Sequence, residues 1–291
     1  MIQETSVLVD LNISYWSGRK LDKRVSEEID VSKGTKARGG NYNKKLLAGT
    51  DKLEQVQKLV GTIRTWNYMQ TLPWSDGGSR LLPMKNFFDY KAMLASFEQQ
   101  FNDAVEAFLQ EYPQLVSAAA FQLGALFDRS EYPDAEELRH KFKFKYSFCP
   151  VPKSGDFRVD TNEETKRELE AQYESFFANK LNDAMKDIWG RLHETLTHMS
   201  AKLADSPVPR VSKTGEVNNT QIFRDSLINN AVELCGLLTR LNVTNDPQLE
   251  FARKKLESAI AGVDANTVRE SDEVRKNVKQ QVDDILSAFN F

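Results

Sequence analysis

The sequence predicts a mainly α protein with a small antiparallel β-sheet, an α+β fold built on one long central helix packed in a helical bundle or hairpin. Three observations carry this expectation. From Thr161 to Ala204 the chain has no proline and a single glycine, Gly190. Through that stretch Leu169, Tyr173, Phe177, Leu181, Met185, Ile188, Leu192, Leu196, Met199 and Leu203 recur in steps of three and four, so they share one helix stripe. Two other segments, residues 7–15 and 142–148, alternate with the period of a half-buried strand.

In chain order, Val7, Val9, Leu11, Ile13 and Tyr15 point one way and Asp10, Asn12 and Ser14 the other, which predicts the first strand. A short polar helix follows over 21–29, then a mobile basic loop, VSKGTKARGGNYNKK. Asp51 and Glu54 have the spacing of a capping box and open a helix carrying Leu53, Val56, Val60 and Ile63. The segment TLPWSDGGSRLLP (71–83) is bounded by prolines and centred on Gly77-Gly78, so it reads as a structured loop. A second long helix carries Tyr90, Leu94, Phe97, Phe101, Ala104, Phe108 and Tyr112 and is expected to stop at Pro113, with a separate helix over 115–127. Phe142, Phe144, Tyr146 and Phe148 form the clearest strand, with Phe157 and Val159 as a possible return strand, giving a three-stranded sheet.

Thr161 and Glu164 form a second capping box and launch the long helix. At about 1.5 Å per residue that helix is on the order of 60 Å long. Its ten-residue stripe must be covered, by the C-terminal helices or by another chain, since each buried leucine is worth roughly 1.5–3 kcal/mol. A polar linker near 205–219 precedes three helices. The first carries Phe223, Leu227, Ala231, Leu234, Leu238 and Leu241. The second begins at Pro247 behind Asp246 and stops before Gly262, and the third carries Val274, Val278, Val282, Ile285 and Phe289. The expected domains are 1–160, α+β with the sheet, and 161–291, an elongated helical bundle.

Composition restricts function more than it assigns it. The 291 residues carry a net charge of −3 and a pI near 5.8, a balance that speaks against a dedicated duplex-DNA binder. Cys149 and Cys235 lie far apart among apolar neighbours and are expected as free buried thiols. The start MIQETSVLVDLN has no basic segment followed by an apolar run, and no stretch approaches the ~20 apolar residues of a membrane span. The expected compartment is the cytoplasm, with no membrane partner.

Candidate chemistry is sparse. His193 and His198 are five apart, so they diverge around the helix instead of sharing the face a zinc motif needs. No metal or cofactor is implied. Gly34 and Gly39 have phosphate-loop spacing, but Gly40 and Asn41 stand where Lys and Ser or Thr are required. The same loop offers Lys33, Lys36, Arg38, Lys44 and Lys45 with Tyr42 among them, the charges and ring that phosphate-backbone or single-strand contact uses. Ser79 lies outside a nucleophile elbow. Trp74, Asp76 and Arg80, with Asp156 and Arg158, are the candidate ligand loop if both segments face one pocket.

Four segments, VDLNISYWSGRKLD (9–22), TLPWSDGGSRLLP (71–83), GALFDRSEYPDAEELRHKF (124–142) and PVPKSGDFRVD (150–160), together resemble an uncharacterised family of phage and bacterial proteins, known only as a domain of unknown function. The likeness runs from about residue 5 to the C-terminal VDDIL. It implies a mostly helical protein encoded beside MoxR-type AAA+ ATPases and cobalt-chelatase-like proteins with a von Willebrand A domain, and hence an accessory to an ATP-driven remodelling system. It implies no catalytic residues. The expected function is a non-enzymatic adaptor or scaffold, phage-encoded, acting with an AAA+ partner or in a protein assembly, with homo-oligomerisation open. The alternatives are nucleic-acid binding through residues 33–45 and an unfamiliar enzyme at the Trp74–Arg80 loop.

Overall fold

The computed structural model of the chain describes residues 2–152, 162–204, 210–211, 217–218 and 226–289. A short helix α1 (Ile2–Thr5) leads into β1 (Ser6–Ser14), in which Val9 and Ile13 are buried as the alternation requires. Then follow β2 (Arg19–Asp22), α2 (Lys23–Lys33) and β3 (Tyr42–Lys45). β2 and β3 pair antiparallel from Arg19↔Lys45 to Asp22↔Tyr42, so the stretch expected as a basic loop ends in a strand. Helix α3 (Lys52–Gln70) starts where the cap signal put it, but the reciprocal box does not form. The Asp51 carboxylate accepts from Gln55 Nε2 at 2.9 Å, and Glu54 pairs with Lys45 at 3.2 Å.

The expected loop at 71–83 is a hairpin of β4 (Leu72–Pro73) and β5 (Arg80–Pro83). β5 also pairs with β1, from Ser6↔Pro83 to Val9↔Arg80. With β6 (Lys143–Pro150) they make a four-stranded antiparallel sheet in the order β4-β5-β1-β6, one strand larger than expected. The possible return strand at Phe157 and Val159 lies outside the described residues.

Between β5 and β6 runs α4 (Met84–Leu123), two 3₁₀ turns at Gly124–Leu126 and Arg129–Glu131, and α5 (Ala135–Arg139). α4 corrects the expectation of a stop at Pro113, which lies inside it. A proline there removes one backbone hydrogen bond and crowds the preceding turn, at a cost of ~3 kcal/mol. The apolar stripe outweighs that, because Val105, Phe108, Leu109, Tyr112, Val116 and Ala119 stay in phase across the proline and are all buried. Tyr112 Oη donates to the Pro133 carbonyl at 2.9 Å, fixing the helix beside the proline.

The long helix is α6 (Glu163–Leu203), 41 residues. Its N-cap is Asn162, whose Oδ1 accepts from Thr165 N at 2.8 Å, while the expected cap Thr161 lies outside the described residues. β7 (Arg210–Val211) and β8 (Val217–Asn218) pair antiparallel within the linker region. The C-terminal helices are α7 (Ser226–Leu241), α8 (Pro247–Ile260), a short α9 (Ala265–Glu270) and α10 (Asp272–Ala288). Asp246 caps α8 by accepting from Gln248 N and Leu249 N.

Packing divides the chain into two compact units, with boundaries inside β1, α3, α4 and β6. Unit 1 is Met1–Asp10, Tyr68–Phe88 and Phe148–Phe291; unit 2 is Leu11–Asn67 and Asp89–Ser147. Unit 1 buries Ala184, Ile188, Leu192, Leu196, Met199 and Leu203 of α6 in one cluster with Leu234 and Leu238 of α7, Leu249 and Leu256 of α8, and Val278, Val282 and Ile285 of α10. The stripe of α6 is therefore covered, from Ala184 onward, by the chain's own tail. Unit 2 packs Val56, Val60 and Ile63 of α3 on Phe101, Phe108 and Tyr112 of α4, with Ile13, Leu46, Tyr132 and Leu138 closing the cluster.

Candidate functional site

The basic segment is built on α2. Asp22 Oδ1 accepts from Val25 N at the helix start, and Gly34, at φ 65°, ends the helix by returning its N–H to Asp30 O and Val31 O. The chain then straps back along the helix. Thr35 N donates to Asp30 O at 3.1 Å and Gly39 N to Asp30 Oδ1 at 3.0 Å. Tyr42 N donates to Ser26 Oγ at 2.9 Å, and that hydroxyl itself donates to Asp22 O. Between strap and helix lies a pocket of about 380 Å³ whose lining includes Ile29, Asp30, Lys33, Thr35, Gly39 and Tyr42.

The sequence-predicted cations separate into two groups. Lys33, Lys36 and Arg38 are exposed, and among the described residues no acid lies within ion-pair distance of them. Tyr42 is 37% exposed beside them. Lys45 is exposed and paired with Glu54. Lys44 is different: its side chain is 5% exposed and its Nζ lies 2.8 Å from Glu131 Oε2, 3.3 Å from Asp22 Oδ2 and 2.8 Å from the Leu126 carbonyl. The approach to Glu131 is an electrostatic contact, since it leaves Glu131 Oε2 without an aligned hydrogen bond. Burial works to lower the Lys44 pKa, but the two carboxylates of Glu131 and Asp22 outweigh it and hold the ammonium above the ordinary lysine value. The Val25 N–H, and then Lys44, hold the Asp22 carboxyl below its ordinary value. Lys44 thus ties β3 to the Arg129–Glu131 turn and does not reach a surface phosphate.

The Trp74–Arg80 hairpin is closed by its own serines. Ser75 N donates to Ser79 O, Ser79 N to Ser75 Oγ, and Gly78 adopts φ 103° at the tip. The Ser79 hydroxyl donates to Asp10 Oδ1 on β1. Trp74 is buried, with the Phe177 ring edge-on at 5.3 Å. Asp76 is fully exposed and 3.6 Å from Lys180. Arg80 donates through Nε to Thr71 Oγ1 at 2.6 Å and through Nη2 to Thr71 O at 3.1 Å, and its guanidinium lies 4.6 Å from the Tyr68 ring centre.

A residue that the sequence did not single out completes this arrangement. Arg191 of α6 donates to the carbonyls of Tyr68, Met69 and Thr71, each at 2.9 Å, and pairs with Asp187 at 2.6 Å. Two guanidiniums therefore satisfy the carbonyl end of α3, where its dipole is negative. Ser75, Ser79 and Arg80 are thus engaged in bonds within the hairpin and to β1 and Thr71, while Asp76 stays exposed. Asp156 and Arg158, expected to face this loop, lie outside the described residues.

His140, His193 and His198 are exposed, and the described residues contain no group of three or more His, Cys, Asp or Glu side chains placed to hold a metal ion. Both cysteines are free. Cys235 is buried, and burial pushes its thiol pKa up to about 11, which keeps it protonated and unreactive. Cys149 is exposed, correcting the expectation of burial, because it sits on the outward-facing end of β6.

One face is incompletely covered. No residue from Asn162 to Asp183 is buried, yet this part of α6 carries Leu169, Tyr173, Phe176 and Phe177. Phe176 is 50% exposed, with the Lys180 ammonium 5.5 Å above its ring. Tyr173 Oη donates to the Pro152 carbonyl.

A family model described as "Protein of unknown function (DUF3150)" matches residues 4–213. No curated protein and no solved structure matches the chain.

Proposed function

The chain belongs to that family, and we propose from its own geometry that it is a non-enzymatic adaptor or scaffold whose docking element is the first part of α6. The supporting observation is the contrast along one helix. From Ala184 the stripe is buried by α7, α8 and α10, while from Glu163 to Asp183 the same stripe carries aromatic side chains with no full cover. An amphipathic helix laid into a partner's groove buries such a stripe, read at three- and four-residue steps. Glu163, Glu164, Glu168, Glu170 and Glu174 flank it, so a groove with a basic rim complements it.

The partners this reading favours are a MoxR-type AAA+ ATPase and a von Willebrand A protein encoded nearby, in a phage-derived assembly in the bacterial cytoplasm. No helix among the described residues is long and apolar enough to cross a membrane. Light scattering on size-exclusion peaks, alone and with each neighbouring gene product, tests it. A strict monomer that elutes independently of every one of them removes the proposal. A second reading, nucleic-acid binding, is favoured by charge distribution: between Arg19 and Lys45 nine basic residues face four acidic ones, on a chain of net charge −3. Electrophoretic shifts that weaken with salt would support it.

A further inference from the structure

We infer that the pocket between α2 and the 34–42 strap receives one unstacked base of a single-stranded nucleic acid, with Lys33, Lys36 and Arg38 holding the neighbouring phosphates. This rests on the second reading above and adds the site and its mode of recognition. Three features of the pocket point the same way. Its volume of about 380 Å³ is that of a small planar ring system with room for solvent, and its lining combines the Ile29 side chain with the Tyr42 ring, both exposed. A base stacks favourably on such a ring whatever its identity, because every base has a π-face.

The cations lie at the rim. Lys33 lines the pocket, and Lys36 and Arg38 stand on the strap that forms its wall, all three exposed. Three charges spread over the strap offer more than one phosphate position, which a strand fills and a lone nucleotide does not. The α2 side of the pocket carries Asp30, whose Oδ1 accepts the Gly39 N–H. A carboxylate inside the pocket repels a phosphate placed there and accepts a hydrogen bond from a base amino group. The charge pattern therefore orients the ligand with base inward and backbone outward. It also favours adenine, cytosine and guanine, which carry an exocyclic amine, over thymine. The strap is tied to α2 by bonds from Tyr42 N to Ser26 Oγ and from Gly39 N to Asp30 Oδ1, neither of which uses the Tyr42 ring.

The test is fluorescence anisotropy of the full chain with labelled oligonucleotides of about twelve nucleotides, oligo(dA) and oligo(dT), across a salt series. Oligo(dA) is expected to bind more tightly than oligo(dT). Tyr42→Leu is expected to weaken oligo(dA) binding roughly tenfold with an unchanged circular dichroism spectrum. Replacing Lys33, Lys36 and Arg38 together by Ala is expected to flatten the log–log salt slope by about 2. Ile29→Glu, which changes an exposed side chain, is a second way to block the pocket and is expected to weaken binding as well. Binding that falls in the triple alanine variant but is unmoved by Tyr42→Leu and Ile29→Glu overturns the base pocket and leaves a basic surface. AMP competing as well per mole as the strand overturns the strand assignment. No binding by the unaltered chain at low salt overturns both the pocket and the reading on which it rests.

Discussion

Lys44 is the residue on which the Arg19–Lys45 region turns. Its ammonium is enclosed by Asp22, Glu131 and the Leu126 carbonyl, so removing it leaves two largely buried carboxylates facing each other without a cation. Lys44→Ala is expected to destabilise the protein by about 3 kcal/mol, measured as a lowered urea midpoint, whereas Lys36→Ala leaves the midpoint in place. The pH dependence has a definite sign. Asp22 has a depressed folded pKa, so its contribution is present above the unfolded value of 3.8 and is lost as pH falls below it, through the folded pKa. Lys44 has a raised folded pKa, so its contribution is complete below the unfolded value of 10.5 and is lost only at higher pH. The unaltered protein is therefore expected to lose stability on acidification below about pH 4 more steeply than Lys44→Met. The cysteines offer a simpler check. With Cys149 exposed and Cys235 buried, Ellman's reagent is expected to titrate one thiol in the native chain and a second only after unfolding. Rapid reaction of both thiols in the native state would contradict the packing of α7.

Among the elements, α4 and α6 show what periodicity carries and what it does not. The stripe of α6 is legible because steps of three and four run unbroken from Leu169 to Leu203 with no proline between. α4 was misread at Pro113 because local propensity argues for a break, while the side chains at 105, 108, 109, 112, 116 and 119 argue for continuity, and burial decides. The β4–β5 hairpin is hidden in the sequence because β4 has only two residues and β5 buries Leu81, Leu82 and Pro83 in succession, so neither strand alternates. The ligand loop looked chemical because Arg80 and Asp76 are polar residues in a glycine-bearing turn. Arg80 bonds Thr71, and the second guanidinium at the end of α3, Arg191, lies 111 positions away from Arg80 in sequence, so this long-range capping leaves no local signature. The basic segment was legible in charge, but no spacing rule separates buried Lys44 from exposed Lys45. Arg191→Met is expected to destabilise the end of α3 by about 1–3 kcal/mol, since it strips the Met69 carbonyl of its donor and leaves those of Tyr68 and Thr71 to Arg80 alone. Asn162→Ala is expected to cost about 1 kcal/mol and to fray the first turn of α6, visible as faster amide exchange there.

In the whole molecule, α6 runs through two different surroundings. From Ala184 to Leu203 the stripe supplies buried side chains to the core of unit 1, while from Glu163 to Asp183 none is buried, Phe177 and Leu181 packing only partly against that core, and this is the part proposed to dock a partner. Phe176→Glu changes a half-exposed ring and is expected to leave thermal stability within about 0.5 kcal/mol while weakening association with the partner. Hydrogen–deuterium exchange across α6, in the isolated protein and with the AAA+ and von Willebrand A proteins, separates a helix packed along its whole length from one with a docking segment. Slow exchange from Ala184 to Leu203, with fast exchange from Glu163 to Asp183 that becomes slow when a partner is added, is the predicted result. Exchange over Glu163–Asp183 that is already slow in the isolated monomer, or unaltered by every partner, would contradict it.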